Sequence, residues 1–278
     1  GLAALAQPAT KQQENVSPMF IGSAVPAGPV GNEEEALPAP VIVGPGRVGR
    51  SLAAALPEAE LRGRSDTVDD LSGRVVLLCV PDSEIRRVAE RIGASGSSPA
   101  LAGHTSGATA LEALSGCDAE GFFSVHPLQT VPDGNTDLRG CPAAVAGDVP
   151  DALEMARKLA ATAGMVTFEV SEEDRVAYHA AASVASNFLI TVEQTAAEML
   201  GAISVENPRR VLEPLVRRSL DNWIERGPSA LTGPIARGDD STVEAHRRVL
   251  AERWPDLLDF YDAIADRTRS VALSGGTS

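Results

Sequence analysis

From residue 39 onward the chain alternates short, β-branched apolar runs with longer Ala/Leu/Arg segments whose apolar positions recur at helical spacing. Runs at Val41–Val43, Ala59–Arg62, Val75–Val80, Leu101–His104, Gly121–His126, Ala143–Ala146 and Val166–Val170 predict strands, and the stretches 47–56, 83–93, 107–115 and 150–163 predict helices. That alternation is the pattern of a parallel α/β sheet. After Ser171 the strand signals stop. The segments 172–201, 208–226, 242–253 and 254–273 all carry helical periodicity, with Pro208 suited to an early helix position. The expected architecture is an α/β domain with a parallel sheet over 39–170, followed by a smaller all-α domain over 171–278. Residues 1–38, rich in Ala, Pro, Gly and Gln with an EEE run and no sustained apolar period, read as a flexible tail.

Composition narrows the function. Of 278 residues 44% are apolar and 22% charged, a globular profile, and the net charge of −14 is spread along the chain without a basic field. Nucleic acid is therefore not an expected partner. The longest apolar run, Val75–Val80, is too short to span a bilayer, so no membrane association is expected. Three cysteines and four histidines fit neither a zinc spacing nor a disulfide framework, which points to a reducing, cytoplasmic setting and no metal. The only lysines are Lys11 and Lys158, one in the tail and one on the polar side of a predicted helix. Schiff-base and lysine acid–base chemistry thus have almost no candidate, and any mechanism must rest on His, Arg, Ser/Thr, Tyr or a carboxylate.

The segment APVIVGPGRVGRSLAAAL is an apolar strand running through Gly44-x-Gly46-x-x-Gly49 into an alanine-rich helix. Gly44 suits the tight turn, Gly46 lets a pyrophosphate approach the backbone, and Gly49 allows close helix–strand packing, with the helix N-terminus facing the phosphates. Arg47 and Val48 in the first helical turn, and Val80 and Pro81 after the next buried strand, complete the candidate cofactor contacts. Where a ribose-binding carboxylate is expected at the end of the second strand, AELRGRSD offers Arg62 and Arg64. Guanidinium groups there suit a 2′-phosphate, so NADP(H) is expected over NAD(H); the alternative is a pair of solvated surface arginines.

Ligands of an open α/β sheet bind beyond the carboxyl ends of its strands, and polar clusters fall there. His104-Thr105-Ser106-Gly107 leads into a predicted helix, so Ser106 and Gly107 are candidates to hold a carboxylate. Ser124-Val125-His126-Pro127-Leu128-Gln129 places an imidazole before a proline that extends the backbone. His126 is accordingly a candidate proton donor and Gln129 a substrate contact; a turn-stabilising histidine is the competing reading. On the first long helix, about 100° per residue puts His179, Ser183, Ser186, Asn187 and Glu193 on one polar stripe. Of these, His179, Ser183 and Asn187 are candidate substrate contacts. In the turn-rich GPSALTGPIARGDD, Arg237 is a candidate carboxylate clamp, or simply the ion-pair partner of Asp239 or Asp240.

HTSGA, FFSVHPLQT, YHAAASVASNFL and ALTGPIARGD, all after VIVGPGRVG, together resemble Rossmann-like oxidoreductases with a C-terminal domain of unknown function, number 2520. The resemblance spans about residues 39–272. It implies an architecture similar to the 6-phosphogluconate and β-hydroxyacid dehydrogenase group, with a helical domain that often dimerises, and hence a homodimer acting on a small carboxylate. It also implies ketopantoate reduction as one reaction to test. β-Hydroxyacid dehydrogenases carry a lysine one turn before an asparagine on the first long helix; if Asn187 matches that asparagine, Ser183 stands where the lysine would be. His126 resembles the histidine of the GxHP segment of prephenate dehydrogenases, which contacts the substrate hydroxyl. The expectation is an NADPH-dependent reductase of a small oxo acid, with His126 as first proton donor and His179 second. A non-catalytic NADP-binding sensor or scaffold, and a prephenate-dehydrogenase-like or imine-reducing enzyme, are the alternatives.

Overall fold

The computed structural model describes residues 38–275; the expected tail over 1–38 lies, apart from Pro38, outside the described residues. Seven strands, β1 (Val41–Val43), β2 (Glu60–Arg62), β3 (Val75–Leu78), β4 (Leu101–His104), β5 (Gly121–Pro127), β6 (Pro142–Gly147) and β7 (Val166–Glu169), form one sheet in the order β2-β1-β3-β4-β5-β6-β7. β1 to β5 pair in parallel, and β6 pairs antiparallel with β5 before β7 resumes parallel pairing with β6. The fold is α/β and Rossmann-like. One expectation changes: the sheet is mostly rather than wholly parallel. The connection from β5 to β6 contains no helix, and β6 runs back alongside β5.

Helices α1 (Arg47–Ala55), α2 (Ile85–Ala94) and α3 (Pro150–Thr162) follow β1, β3 and β6. The helix expected over 107–115 is instead an irregular segment leading into a short 3-10 helix at Leu111–Cys117, which packs on α2. Val41, Val43, Val76, Leu78, Ile85, Val88, Ile92 and Leu114 close the main core cluster. These are the continuous apolar runs of the sequence, buried because helices cover the strands.

Beyond Glu169 the regular elements among the described residues are all helices: α4 (Arg175–Ser183), α5 (Leu189–Ala202), α6 (Pro208–Arg226), α7 (Asp240–Arg253) and α8 (Leu258–Gly275). α4 and α5 are one continuous helix interrupted by a single wide π-turn at Val184–Phe188. From Pro38 onward the chain packs as one compact unit. Arg175, buried on α4, ties helix to sheet: its guanidinium donates to the Ser124 hydroxyl at 2.9 Å, to the Ser106 carbonyl at 3.4 Å and to Glu172. Glu172 in turn accepts from the Leu111 amide at 3.0 Å. Among the described residues no helix is long and apolar enough to cross a membrane.

Candidate active site

The strand order reverses at β1, with β2 on one side and β3 on the other, and the crevice outside such a switch point is where open α/β sheets bind ligands. A cavity of about 430 Å³ lies there. Gly44 has φ +119°, and a Cβ on it would stand 2.4 Å from the Cys79 carbonyl oxygen, so no L side chain fits. A Cβ on Gly49 would stand 2.0 Å from the Gly44 carbonyl oxygen; α1 lies on the turn at backbone contact. Gly46 differs from both. The nearest atom to its would-be Cβ is 4.0 Å away, and the glycine lines the cavity. Packing explains the outer two glycines, whereas the middle one leaves room for a ligand to approach the backbone. α1 begins at Gly46 without a side-chain cap, so its first amides are free to face an anion. Val80 and Pro81 line the apolar wall; Val48 sits half-buried in the first turn and does not reach the cavity. These residues fit a dinucleotide.

Arg62 does not act as expected. Its side chain is 7% exposed and forked onto Asp70 at 2.5 and 2.8 Å, with Glu60 at 2.7 Å and the Thr67 carbonyl at 3.0 Å. Every nitrogen is occupied, and the side chain lies outside the cavity. Those carboxylates hold the guanidinium pKa even higher than usual. Arg64, two residues on, does line the cavity. Arg47 lines a second one.

That second cavity, about 820 Å³, opens between the segment after β5 and the α4–α5 helix. Its polar lining includes His126, Gln129, Tyr178, His179, Ser183, Ser186, Asn187 and Arg47. Gly46 and Arg47 are consecutive, so the two cavities flank the same helix N-terminus. His126 Nδ1 lies 2.7 Å from the Tyr178 hydroxyl, and the His179 ring stands edge-on to His126 at 5.8 Å between centroids. Burial first, then the charge of His179, pushes the His126 pKa down to about 4, with Arg175 adding to the fall and Asp82 opposing it. Burial likewise lifts Tyr178 to about 12. At neutral pH the pair is an uncharged imidazole against an uncharged phenol. Arg47 has no ion-pair partner among the described residues, and it is the cavity's one permanently charged group.

Gly107 lies against both imidazoles: a Cβ there would stand 2.7 Å from His179 Cδ2 and 2.9 Å from His126 Cε1. It makes room for the histidines rather than lining the cavity. Ser106 is buried, and its hydroxyl accepts from the Ala108 and Thr109 amides and donates to the Thr109 hydroxyl. No helix starts at Ser106, so the expected carboxylate pocket is folded in on its own turn. Gln129 donates to the Asp137 carbonyl at 3.2 Å. Arg237 is exposed, donates to the Thr232 carbonyl and lines neither cavity; among the described residues it makes no direct ion pair, though its charge adds to the Thr242 and Ser241 hydrogen bonds that hold the Asp239 carboxyl below its usual range. Glu193 leaves the polar stripe and lines a groove against α6. The π-turn adds roughly one residue to the helix, turning everything after it by about 100°. Tyr178 was missed because it lies about 100° from His179, off the stripe, and Arg175 because the stripe was counted forward from His179, although at about −40° Arg175 falls on the same face.

Residues 141–268 match the family model described as "Domain of unknown function (DUF2520)". The match begins at β6, inside the sheet, and runs to α8. Among solved structures the chain is similar to a protein of Thermotoga maritima, at TM-score 0.70 and 24% identity over 85% of this chain and 99% of that one. It is similar, also at TM-score 0.70, to a candidate NADP oxidoreductase of Bacteroides fragilis, with 20% identity over 84% and 98% of the two chains. A pyrroline carboxylate reductase of Plasmodium falciparum with NADP bound follows at TM-score 0.53 and 10% identity, over 84% and 98%. At these identities the likeness is one of fold. No protein of curated function matches the chain. The wider relation to the 6-phosphogluconate dehydrogenase group rests on the motifs alone.

Proposed function

We propose that the protein is an NADPH-dependent reductase of a small oxo acid and works as a homodimer. The observation that carries this reading is the pairing of cavities across one helix N-terminus: Gly46 opens onto the first, and Arg47 belongs to the second beside His126. A dinucleotide would be held by the Gly44–Gly49 turn and the α1 amides, and the His126–Tyr178 pair lines the cavity on the other side of that helix N-terminus. Bound there, the nicotinamide supplies a hydride to the substrate carbonyl carbon.

The chain's own residues handle the rest. Tyr178 donates its hydroxyl hydrogen to His126 Nδ1, which fixes the neutral imidazole as its Nε2–H tautomer. Nε2–H then donates to the carbonyl oxygen. As negative charge grows on that oxygen the Nε2 proton moves to it and the Tyr178 proton moves to Nδ1, leaving a phenolate that water reprotonates. An alkoxide is a stronger base than a phenolate of pKa about 12, so the transfer runs downhill. Asn187, Ser183, His179 and Gln129 supply further polar contacts. Arg47 takes the carboxylate, the role first expected of Arg237.

A titration with NADPH and NADH, followed by ketopantoate in the same cuvette, tests the reading. Tight NADPH binding with oxo-acid-dependent loss of nicotinamide absorbance is expected. His126→Asn should cut turnover by about 100-fold while leaving the NADPH Kd within about twofold. Unchanged turnover removes His126 from the mechanism, and failure to bind either nucleotide overturns the whole assignment.

Imine reduction is a second reading, favoured by the neutrality of His126. A protonated imine accepts hydride without needing an acid, and an imidazole of pKa about 4 carries no extra proton to give at neutral pH. Turnover of cyclic imines but not oxo acids decides for it. Binding of NADPH without turnover of either class decides for a nucleotide sensor.

A further inference from the structure

The His126–Tyr178 pair joins a strand to a helix, and a second contact between the same two elements stands one step before it. Arg175 lies on α4 one turn ahead of Tyr178 and His179, and Ser124 lies on β5 two residues ahead of His126, on the same face of the strand. The Arg175 guanidinium donates to the Ser124 hydroxyl at 2.9 Å, and the Tyr178 hydroxyl meets His126 Nδ1 at 2.7 Å. The same guanidinium reaches the Ser106 carbonyl at 3.4 Å, and the next residue, Gly107, packs bare against the His126 and His179 rings. Its Nε donates to Glu172 at 2.9 Å, and the other oxygen of that carboxylate takes the Leu111 amide at 3.0 Å, which ties down the far end of the segment that carries Gly107. One side chain, only 5% exposed, thus connects the three segments that meet at the imidazole, yet it lines neither cavity. Withdrawing a guanidinium from water is costly, and apolar packing joins a helix to a sheet at least as strongly. What a planar fork adds is one geometry, because its N–H groups point in fixed directions.

We infer that Arg175 is a positioning residue of the site: by bonding Ser124 and the Ser106 carbonyl it sets α4 on the sheet so that the Tyr178 hydroxyl donates to His126 Nδ1 and the imidazole keeps its proton on Nε2. This rests on the reading of His126 as proton donor and deepens it. Arg175 touches neither substrate nor nucleotide and acts only through the pair. A lysine in its place keeps the charge but has no fork to span a hydroxyl, a carbonyl and a carboxylate at once, so α4 loses its fixed seat while the buried cation is retained.

Nitrogen-15 spectra of the full chain, labelled in its histidines and held at pH 7, test this without any turnover, the His126 signals being assigned by their loss in His126→Asn. The wild-type ring should carry its proton on Nε2 and show Nδ1 accepting a hydrogen bond. Arg175→Lys should lose that bonded Nδ1 signature, which moves toward the position of a free imidazole. Turnover of whichever oxo acid or imine the wild type reduces should fall by about 10- to 100-fold, the range for a displacement of about 1 Å, with the NADPH Kd within about twofold. Because Arg175 works through Tyr178, adding Arg175→Lys to Tyr178→Phe should lower turnover no further than Tyr178→Phe does alone. A bonded Nδ1 that persists in Arg175→Lys, or losses that multiply in the double variant, overturns the inference. If the wild type reduces neither class of substrate, the reductase reading fails and the spectra alone decide the positioning role. Should Arg175→Lys not fold, Ser124→Ala decides instead: it removes the contact to the strand, leaves the guanidinium paired with Glu172, and should move the Nδ1 signal the same way. An unchanged signal there overturns the inference.

Discussion

The two histidines at the carboxyl edge of the sheet show what burial does to a side chain. His104, wholly buried at the end of β4, and His126, half-buried at the end of β5, both have pKa values near 4, burial being the largest cause in each. In the unfolded chain they titrate near about 6.5. Between pH 6.5 and 4 the unfolded state therefore binds protons that the folded state refuses, and stability falls as pH falls through that window. Above 6.5 and below 4 these groups add no slope. Melting temperatures of wild type and His126→Asn across pH 7 to 4 should diverge, the variant losing less on acidification by on the order of 1–2 kcal/mol. Parallel curves would mean that His126 is solvated. At this scale the sequence was legible where a residue's role is local. The Gly44–Gly49 turn could be read because backbone geometry alone dictates it. Arg62 could not, since its fate depends on Asp70 eight positions along a loop, and a guanidinium reads the same whether it faces a phosphate or a carboxylate.

Elements were legible where period and length agreed. The strands β1 and β4 and the helix α6 fall where the pattern predicts them, because apolar runs and Pro208 leave little choice. Two elements were hidden for different reasons. The antiparallel β6 follows a helix-free connection, which the sequence shows as an absence of periodic residues between 128 and 141 but shares with the connection before the parallel β3. The π-turn has no such signature. It shows itself through Asn187 lining the cavity while Glu193 swings away from it. The joint between sheet and α4 rests on one side chain. Removing Arg175 leaves the buried Ser124 hydroxyl and Ser106 carbonyl short of a donor and takes the part-exposed Glu172 carboxylate's partner away. Arg175→Ala should cost about 3 kcal/mol in urea unfolding, and Arg175→Lys more than half of that, since a lysine cannot serve all three acceptors. A loss under about 1 kcal/mol would show that helix and sheet are held by packing instead. Such a result would shift attention to the contact of the His126, Tyr178 and His179 rings.

For the whole molecule, the helical half does not close on itself. Its buried apolar side chains among the described residues are only Ala197, Val243, Leu250 and Ala265, and the nineteen residues of α6 bury none. Meanwhile Val211, Leu215, Trp223 and Ile224 on α6 are 56 to 74% exposed, and Phe188 and Ile190 beside the cavity are about 60% exposed. At about 25 cal/mol per Å² of apolar surface, several such side chains left in water forfeit more than a marginally stable chain can lose, and patches of this extent mark interfaces. A second copy of the chain is the partner we propose. It presents the same apolar helices, so a two-fold axis lets each copy cover the other. Sedimentation at micromolar concentration should give twice the 28.9-kDa chain mass. Leu215→Asp with Ile224→Asp should shift the protein to a monomer, lower its melting temperature and make that temperature independent of concentration. A wild-type protein that sediments as a monomer would overturn the dimer, and would leave the apolar helices to a different partner. A dimer that survives the double aspartate variant would move the interface off α6.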